Sequence, residues 1–145
     1  MPTFPDLRVT ERSKVKRVPK RAAYDRATVD AILDAGLMCH VGYVIDGAPY
    51  VTATCYWRHG DRVYWHGSAA SRMLRTVTSG VPVCFTVAHL DGLVMARSGF
   101  HHSVNYRGVT LFGEAVKIED PAEKLATLKD FTDRLTPGRW EELRE

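Results

Sequence analysis

The dipeptide Asp46-Gly47 lies between two stretches of β-branched and aromatic residues, and it constrains the fold of this chain more than any other local feature. An Asp-Gly pair readily adopts the positive φ angles of a two-residue hairpin turn, whose twist matches the twist of paired strands. The sequence therefore predicts an antiparallel hairpin with strands over residues 37–45 and 50–57.

Further turn signals extend this hairpin into a longer series of strands. His59-Gly60-Asp61 introduces a strand over residues 62–66, and Asp91-Gly92 is predicted to turn the chain between a strand over 81–90 and a return strand from Leu93. A last strand is expected over residues 109–116. Six short strands with few helices predict a mainly β domain, a closed six-stranded antiparallel barrel with peripheral helices.

Three helices are predicted from their start signals. Asp25 or Thr28 can cap the first, the second begins near Ala69, and Asp120-Pro121 opens the third with a capping residue followed by proline. The first helix carries an apolar stripe, so we expect it to cover one face of the sheet.

The segment from Tyr64 to Leu74 connects a strand to the second helix through small and hydroxyl residues, among them Gly67, Ser68 and Ser71. A helix start presents unpaired backbone N–H groups, and serine hydroxyls with the Arg72 guanidinium would add donors suited to a phosphate dianion. The alternative is an ordinary serine N-cap on a core helix, with Arg72 in solvent. The segment is a candidate phosphate site on the first interpretation and a plain helix start on the second.

Length and composition fit a single globular domain, because the chain has 145 residues, of which 45% are hydrophobic and 26% charged. No apolar run approaches the roughly 18 residues of a membrane-spanning helix, and the basic N-terminus leads into no stretch of signal-peptide type. We therefore expect a cytoplasmic protein without membrane contact.

The basic residues are concentrated near the N-terminus, which we interpret as a basic arm over residues 1–20 followed by a folded domain over residues 21–145. Seven of the 20 basic residues lie within residues 8–21 beside one of the 17 acidic residues, so the remainder carries 13 basic and 16 acidic residues. A nucleic-acid surface would need clustered positive charge on the folded part, so no nucleic-acid partner is predicted. The arm is interpreted as a solvated segment that becomes ordered only on a partner chain or a bound anion.

Several chemistries lack their motifs in this sequence. His66 and the His101-His102 pair have no cysteine or carboxylate at ligand spacing, so no metal site is predicted. There is no G-x-S-x-G, G-x-G-x-x-G or G-x-x-x-x-G-K-[ST] motif, which argues against a hydrolase elbow, a Rossmann fingerprint and a P-loop. Cys39, Cys55 and Cys84 lie far apart in strand-like settings and predict buried thiols rather than disulfides.

Five short motifs, taken in their order along the chain, resemble the pyridoxamine 5′-phosphate oxidase-like, FMN-binding split-barrel superfamily. Within it, the sequence is most similar to the flavin-nucleotide-binding branch that includes nitroimidazole-resistance reductases. The resemblance runs from about Arg21 to the end of the chain. The motifs are Pro49-Tyr50 after the first turn, Tyr64-x-His66-Gly67-Ser68-x-x-Ser71-Arg72, Asp91-Gly92-Leu93-Val94-x-Ala96-Arg97-Ser98, Asn105-Tyr106-Arg107-Gly108-Val109-x-x-Phe112-Gly113, and Pro137-Gly138-Arg139-Trp140.

The resemblance implies a homodimer with FMN in the subunit interface and a small-molecule substrate. The FMN phosphate would lie at Ser71 and Arg72. The resemblance places further residues at the cofactor by their positions in the motifs. They are Val51, Thr52, Ala53 and Thr54 along the ring edge, His66, Gly67 and Ser68 beside them, and Asn105, Tyr106, Arg107 and Gly108 approaching from either subunit. The resemblance also implies further strand sequence beyond residue 145, which would make the domain C-terminally truncated. Where the classical oxidase has a lysine after the Ser-Arg pair, this chain has Met73, which weakens the expectation of vitamin B6 oxidation.

Two functions from different classes follow. The first is an FMN-dependent oxidoreductase that transfers hydride through the flavin to a small acceptor such as a nitroaromatic or a quinone, with His66 as a general acid or as a donor to the cofactor. The second is a non-catalytic protein that binds or stores flavin. A variant of either replaces FMN by deazaflavin or haem.

Overall fold

The computed structural model describes residues 4–143, so the first three residues of the predicted arm and the last two of the predicted domain lie outside the described residues. Five strands pair antiparallel in one sheet, in the order β3-β2-β1-β4-β5. The strands are β1 (Met38–Ile45), β2 (Ala48–His59), β3 (Arg62–Trp65), β4 (Pro82–Val94) and β5 (Ser103–Glu114). Three α-helices accompany them, α1 (Arg26–Asp34), α2 (Arg72–Val77) and α3 (Pro121–Leu135).

The predicted hairpin at Asp46-Gly47 is confirmed. Asp46 has φ of 50° and Gly47 has φ of 79°, the positive angles that a two-residue turn of this kind requires. The turn joins β1 to β2 in an unbroken antiparallel register from Ile45 opposite Ala48 to Met38 opposite Cys55.

The predicted turn at Asp91-Gly92 is wrong. Gly92 is not among the glycines with positive φ, and β4 runs through both residues with an irregularity in its pairing to β5 between Leu90 and Gly92. The chain reverses later, in a short 3-10 turn over Gly99–His101. Because β4 and β5 are each one long strand, the described residues form five strands rather than six.

The predicted closed barrel is not observed within residues 4–143. β3 and β5 are the two edge strands of the sheet, and they are not paired with each other. The second helix also starts later than predicted, at Arg72 instead of Ala69, because Ser71 provides the N-cap.

The core lies on one face of the sheet, beneath α1 and α2. Alternate residues of the central strands face inward and are buried, as a half-buried sheet requires. They pack against Val29 and Leu33 of α1 and against Met73 and Val77 of α2. The inward residues are Cys39, Val41 and Tyr43 of β1, Tyr56 of β2, Val83, Phe85 and Val87 of β4, and Val109 of β5.

Helix α3 packs against β2 and also stabilises the end of α1. The Phe131 ring lies 5.0 Å from the ring of Trp57, measured between centroids. Arg134 donates to the carbonyl oxygens of Leu33, Asp34 and Gly36 at 3.3, 2.7 and 2.6 Å. These are carbonyls that a helix C-terminus leaves without partners, and a cation there is also favoured by the helix dipole.

The described part of the basic arm is mostly exposed, and a few of its residues contact the folded domain. Leu7 is half-buried against the core, and its N–H donates to the carbonyl of Tyr24 at 3.2 Å. Asp6 accepts the backbone N–H of Arg26 at 2.9 Å, and the Arg12 guanidinium lies 4.2 Å from the centroid of the Phe112 ring. The arm therefore contributes packing as well as charge.

We predict that Leu7→Ala lowers the free energy of unfolding by about 1 to 2 kcal/mol, because a half-buried leucine loses part of the 2 to 5 kcal/mol of a fully buried one. Val9→Ala, at a residue that is 45% exposed, is the matched control and should change it by less than about 0.5 kcal/mol. Urea denaturation measures both. Equal effects of the two substitutions would contradict packing of the arm.

The Cys39 thiol gives a pH-dependent prediction. Burial raises the pKa of Cys39 to about 12, and the neighbouring charge of Cys55 adds to this. The unfolded thiol ionises near pH 8.5, so above that pH the folded state holds a proton that the unfolded state has lost. Stability should therefore fall as pH rises from about 8.5 to 10, approaching about 1.4 kcal/mol per pH unit, and Cys39→Ala should remove that component of the slope. Parallel curves for both proteins in urea titrations would refute it.

Candidate functional site

A cavity of about 490 Å³ collects most of the residues that the sequence places at a cofactor. Its wall is formed by β2, by the segment after β3, by the start of α2 and by one residue of β1. The predicted residues in the wall are Val51, Thr52, Ala53, Thr54, His66, Gly67, Ser71 and Arg72. Its volume lies in the range of about 300 to 1,000 Å³ that is usual for small-molecule sites.

The edge of β2 is free along this cavity. β2 pairs with β1 from Ala48 to Cys55, whereas it pairs with β3 only from Tyr56 to His59. β3 ends at Trp65, and the chain then leaves the sheet through His66 and Gly67. Along residues 50–54, backbone N–H and C=O groups on the side away from β1 are therefore available to a ligand.

Ser71 serves as the N-cap of α2, so the helix-cap interpretation holds. Its hydroxyl oxygen accepts the N–H of Leu74 at 3.1 Å. The hydroxyl proton is still available to an acceptor in the cavity, because a serine hydroxyl carries one donor and two lone pairs. Ser68 accepts the N–H of Ala70 at 3.2 Å but does not line the cavity.

Arg72 is exposed in the cavity wall and forms no ion pair with a described carboxylate. Its guanidinium instead lies 5.2 Å from the centroid of the Tyr50 ring. The neighbouring Met73, at the position where the classical oxidase has lysine, is buried and 5% exposed. The cation predicted for a phosphate is thus present and uncompensated, and a side chain at position 73 points into the core.

Three further residues line the cavity that sequence reasoning did not assign to it, Tyr43, Tyr50 and Met73. Tyr43 is buried, and its hydroxyl shares a hydrogen bond of 3.0 Å with Thr52 Oγ1. The Tyr43 and Tyr50 rings are stacked with 5.8 Å between centroids. The Asp46-Gly47 turn fixes a strand register that places these two tyrosines opposite each other. That register follows from the sequence and is the signal by which they could have been identified.

His66 is exposed at the end of the free edge. Its backbone carbonyl accepts the Thr54 hydroxyl at 3.4 Å, which joins the segment after β3 to β2. Its ring lies 5.0 Å from the ring of Phe131 and 6.1 Å from that of Trp57. The position fits a donor to a cavity ligand, and the catalytic role of His66 stays a prediction.

Asn105, Tyr106, Arg107 and Gly108 do not line this cavity in the described chain. They lie in the first half of β5, opposite the segment of β4 that contains the irregular pairing. Arg107 forms a two-pronged ion pair with Asp91, with contacts of 2.9 Å to each carboxylate oxygen. That hydrogen bonding lowers the pKa of the Asp91 carboxyl and raises the pKa of Arg107. Their approach to a cofactor from a second subunit stays a prediction.

A second cavity, of about 1030 Å³, opens between the edge strands β3 and β5 and shares His66 and Gly67 with the first. Trp65 and Leu111 contribute apolar surface to it, and the indole N–H of Trp57 is buried beside it without a hydrogen-bond partner in the described part of the chain. Residues 4–143 contain no group of three His, Cys, Asp or Glu side chains placed to hold a metal ion. No helix among them is both long and apolar enough to cross a membrane.

The fold and the cavity together define a mainly β protein, whose antiparallel sheet has a free strand edge beside a cavity that holds one arginine without a described carboxylate partner. Sequence comparison makes the assignment specific. The profile of the family described as pyridoxamine 5′-phosphate oxidase matches residues 25–145, so the chain belongs to that family and the resemblance is confirmed. No protein of curated function matches the sequence.

Solved structures agree with this assignment. The flavocytochrome Anf3 from Azotobacter vinelandii is 48% identical with a TM-score of 0.88, and the match covers 94% of this chain and 63% of that one. The FAD and heme binding protein from Mycobacterium smegmatis is 41% identical with a TM-score of 0.78, covering 83% of this chain and 58% of that one. This chain thus spans less than two thirds of either relative.

A proposed 5-nitroimidazole antibiotic resistance protein from Bacteroides thetaiotaomicron is 22% identical with a TM-score of 0.65, covering 77% of this chain and 67% of that one. At that identity the similarity shows the fold alone.

Proposed function

We propose that this protein is a flavoprotein that binds FMN, or the FMN half of FAD, in the cavity along β2, and that it acts as an oxidoreductase on a small acceptor. The observation that carries the proposal is that the free edge of β2 and the Ser71-Arg72 turn line the same cavity. The names of the two relatives above 40% identity, a flavocytochrome and an FAD and heme binding protein, support a flavin.

The donors and acceptors of this chain suit the two ends of such a ligand. A flat ring with polar atoms along one edge can hydrogen-bond to backbone groups of residues 51–54 in the manner of a neighbouring strand. Arg72 and the Ser71 hydroxyl would bind the phosphate, with a charge-assisted bond from the guanidinium. Tyr43 and Met73 would close the inner side of the cavity against water.

When bound, the flavin would supply the hydride-transfer chemistry. The chain would hold the ring against β2 and keep one of its faces open to a substrate. His66, at the mouth of the cavity, would hold or donate a proton to the ligand or to the substrate. Acceptors of the nitroaromatic or quinone class fit an exposed ring face, and we keep them as part of the proposal.

The second candidate is a protein that binds or stores flavin without turnover. Steady-state oxidation of reduced nicotinamide with a nitroaromatic or quinone acceptor distinguishes it from the oxidoreductase. The absorption spectrum of the purified protein identifies the cofactor, because FMN or FAD, deazaflavin and haem absorb differently. Haem enters as an additional candidate through the names of the same two relatives.

We predict that Arg72→Ala weakens FMN binding by about 2 kcal/mol, roughly 30-fold in Kd, because the phosphate loses its charge-assisted partner. Arg75→Ala is the matched control, since Arg75 is an exposed arginine of the same helix outside this cavity. Fluorescence titration of FMN measures both. Unchanged affinity in Arg72→Ala would place the phosphate elsewhere.

We also propose a homodimer with the flavin at the subunit interface. The part of the β4–β5 hairpin beyond the core exposes large apolar side chains that a monomer would leave in water. They are Leu90, Leu93, Met95, Phe100 and Tyr106, between 66% and 93% exposed. A two-fold interface through this hairpin would cover them and would bring Asn105 to Gly108 toward the partner's cavity.

We predict that Leu93→Glu converts the dimer to monomer and weakens FMN binding at least 10-fold, because a ligand that bridges subunits binds the dimer preferentially. Val116→Glu, at a residue that is 87% exposed outside the hairpin, should leave both unchanged. Light scattering at micromolar protein concentration, with and without FMN, measures the assembly. A stable monomer with stoichiometric FMN would refute the dimer.

A further inference from the structure

Among residues 4–143, Arg72 is the only lysine or arginine in the wall of the first cavity. Met73, at the next position, is buried in the core, so position 73 adds no second cation for a phosphate. The recognition of a phosphate thus depends on where this one exposed side chain points. An arginine side chain that is free in solvent populates many rotamers, and ordering it on binding costs entropy.

What orders an arginine in most proteins is a carboxylate, as Asp91 does for Arg107 in this chain. A carboxylate beside Arg72 would neutralise the charge that a phosphate needs and would itself repel the phosphate. An aromatic ring attracts the guanidinium through its π face while carrying no net charge. It can therefore hold an arginine and leave the full charge available.

Tyr50 occupies that place, and it is itself fixed. The Arg72 guanidinium lies 5.2 Å from the Tyr50 ring centroid, and the Tyr50 ring stacks on Tyr43 with an angle of 13° between the planes. Tyr43 is 5% exposed, and its hydroxyl is hydrogen-bonded to Thr52. The series runs from a buried, hydrogen-bonded ring to a half-buried ring to an exposed cation, all on the wall of one cavity.

We propose that Tyr50 is a positioning residue that holds Arg72 for a phosphate, and that the Tyr43-Tyr50-Arg72 series makes this cavity select phosphorylated flavins over riboflavin. This inference rests on the proposed flavin function. It adds Tyr50 as a residue that determines specificity for the phosphate without contacting it.

The test compares the dissociation constants of FMN and riboflavin, which differ only by the phosphate. Their ratio reports phosphate recognition, whereas a loss of folding or of ring contacts shifts both constants together. The variants are Tyr50→Leu, Tyr50→Phe, Arg72→Ala and the double variant Tyr50→Leu/Arg72→Ala, with Arg75→Ala as control. Fluorescence titration gives both constants, and the thermal midpoint without ligand records the folding of each variant.

Tyr50→Leu should lower the ratio of the riboflavin constant to the FMN constant about three- to five-fold, the range expected for loss of one exposed cation–π contact. Tyr50→Phe keeps the ring and should stay within about two-fold of the parent ratio. In the Arg72→Ala background, Tyr50→Leu should have no further effect on the ratio, because the cation that Tyr50 positions is gone.

A parent-like ratio in Tyr50→Leu, with Arg72→Ala lowering the ratio as expected, would overturn the positioning role and leave the proposed function intact. A parent-like ratio in Arg72→Ala would instead remove the phosphate site and the proposed binding mode with it. A ratio that falls equally in Tyr50→Leu with and without Arg72 would show that Tyr50 contacts the phosphate directly, which also overturns the positioning role.

Discussion

The structure depends on a difference in length between the two neighbours of β2. β1 pairs with this strand over eight residues, whereas β3 pairs with it over four. Had β3 continued, the backbone groups of residues 50–54 would bond to another strand, and no ligand could use them. Because β3 stops at Trp65, eight of the 12 residues of β2 have no described strand on that side. Such an edge has to be exposed, because a buried strand cannot leave its backbone groups without partners. The short β3 thus creates the site, and the segment after it supplies the remaining wall.

Local signals in the sequence predicted the part of the fold that short-range geometry decides. The Asp46-Gly47 turn fixes the register of β1 and β2, and through it the stacking of Tyr43 on Tyr50. Asp91-Gly92 has the same residue types, yet its surroundings favour a continuous strand, with Asp91 held by Arg107 on the paired strand. A turn dipeptide shows which backbone angles are accessible, and pairing with the neighbouring strand determines whether the chain turns there.

The candidate site divides in the same way. Residues 51–54, His66, Gly67, Ser71 and Arg72 lie close together because two short connections bring them there. Asn105 to Gly108 lie in the first half of β5 and do not line the cavity, so the proposal brings them there through a second copy of the chain. The sequence motifs contain both groups of residues, because a motif does not show whether two residues meet within one chain or between two chains. The packing of Leu7 against the core was not predicted, because charged residues dominate the arm and a single leucine gives no periodic signal.

The electrostatics of the cavity bear on how tightly it could hold a ligand. One exposed guanidinium in a site open to water contributes modestly, since screening and solvation reduce its attraction for a phosphate. The larger share would have to come from contact with the ring, along β2 and against Tyr43 and Met73. A ring bound along β2 would have its other face uncovered in a single chain, and the exposed apolar hairpin of β4 and β5 in a second copy would be suited to cover it. Cofactor binding and dimer formation would then bury the same apolar area, so a substitution that weakens one should also weaken the other.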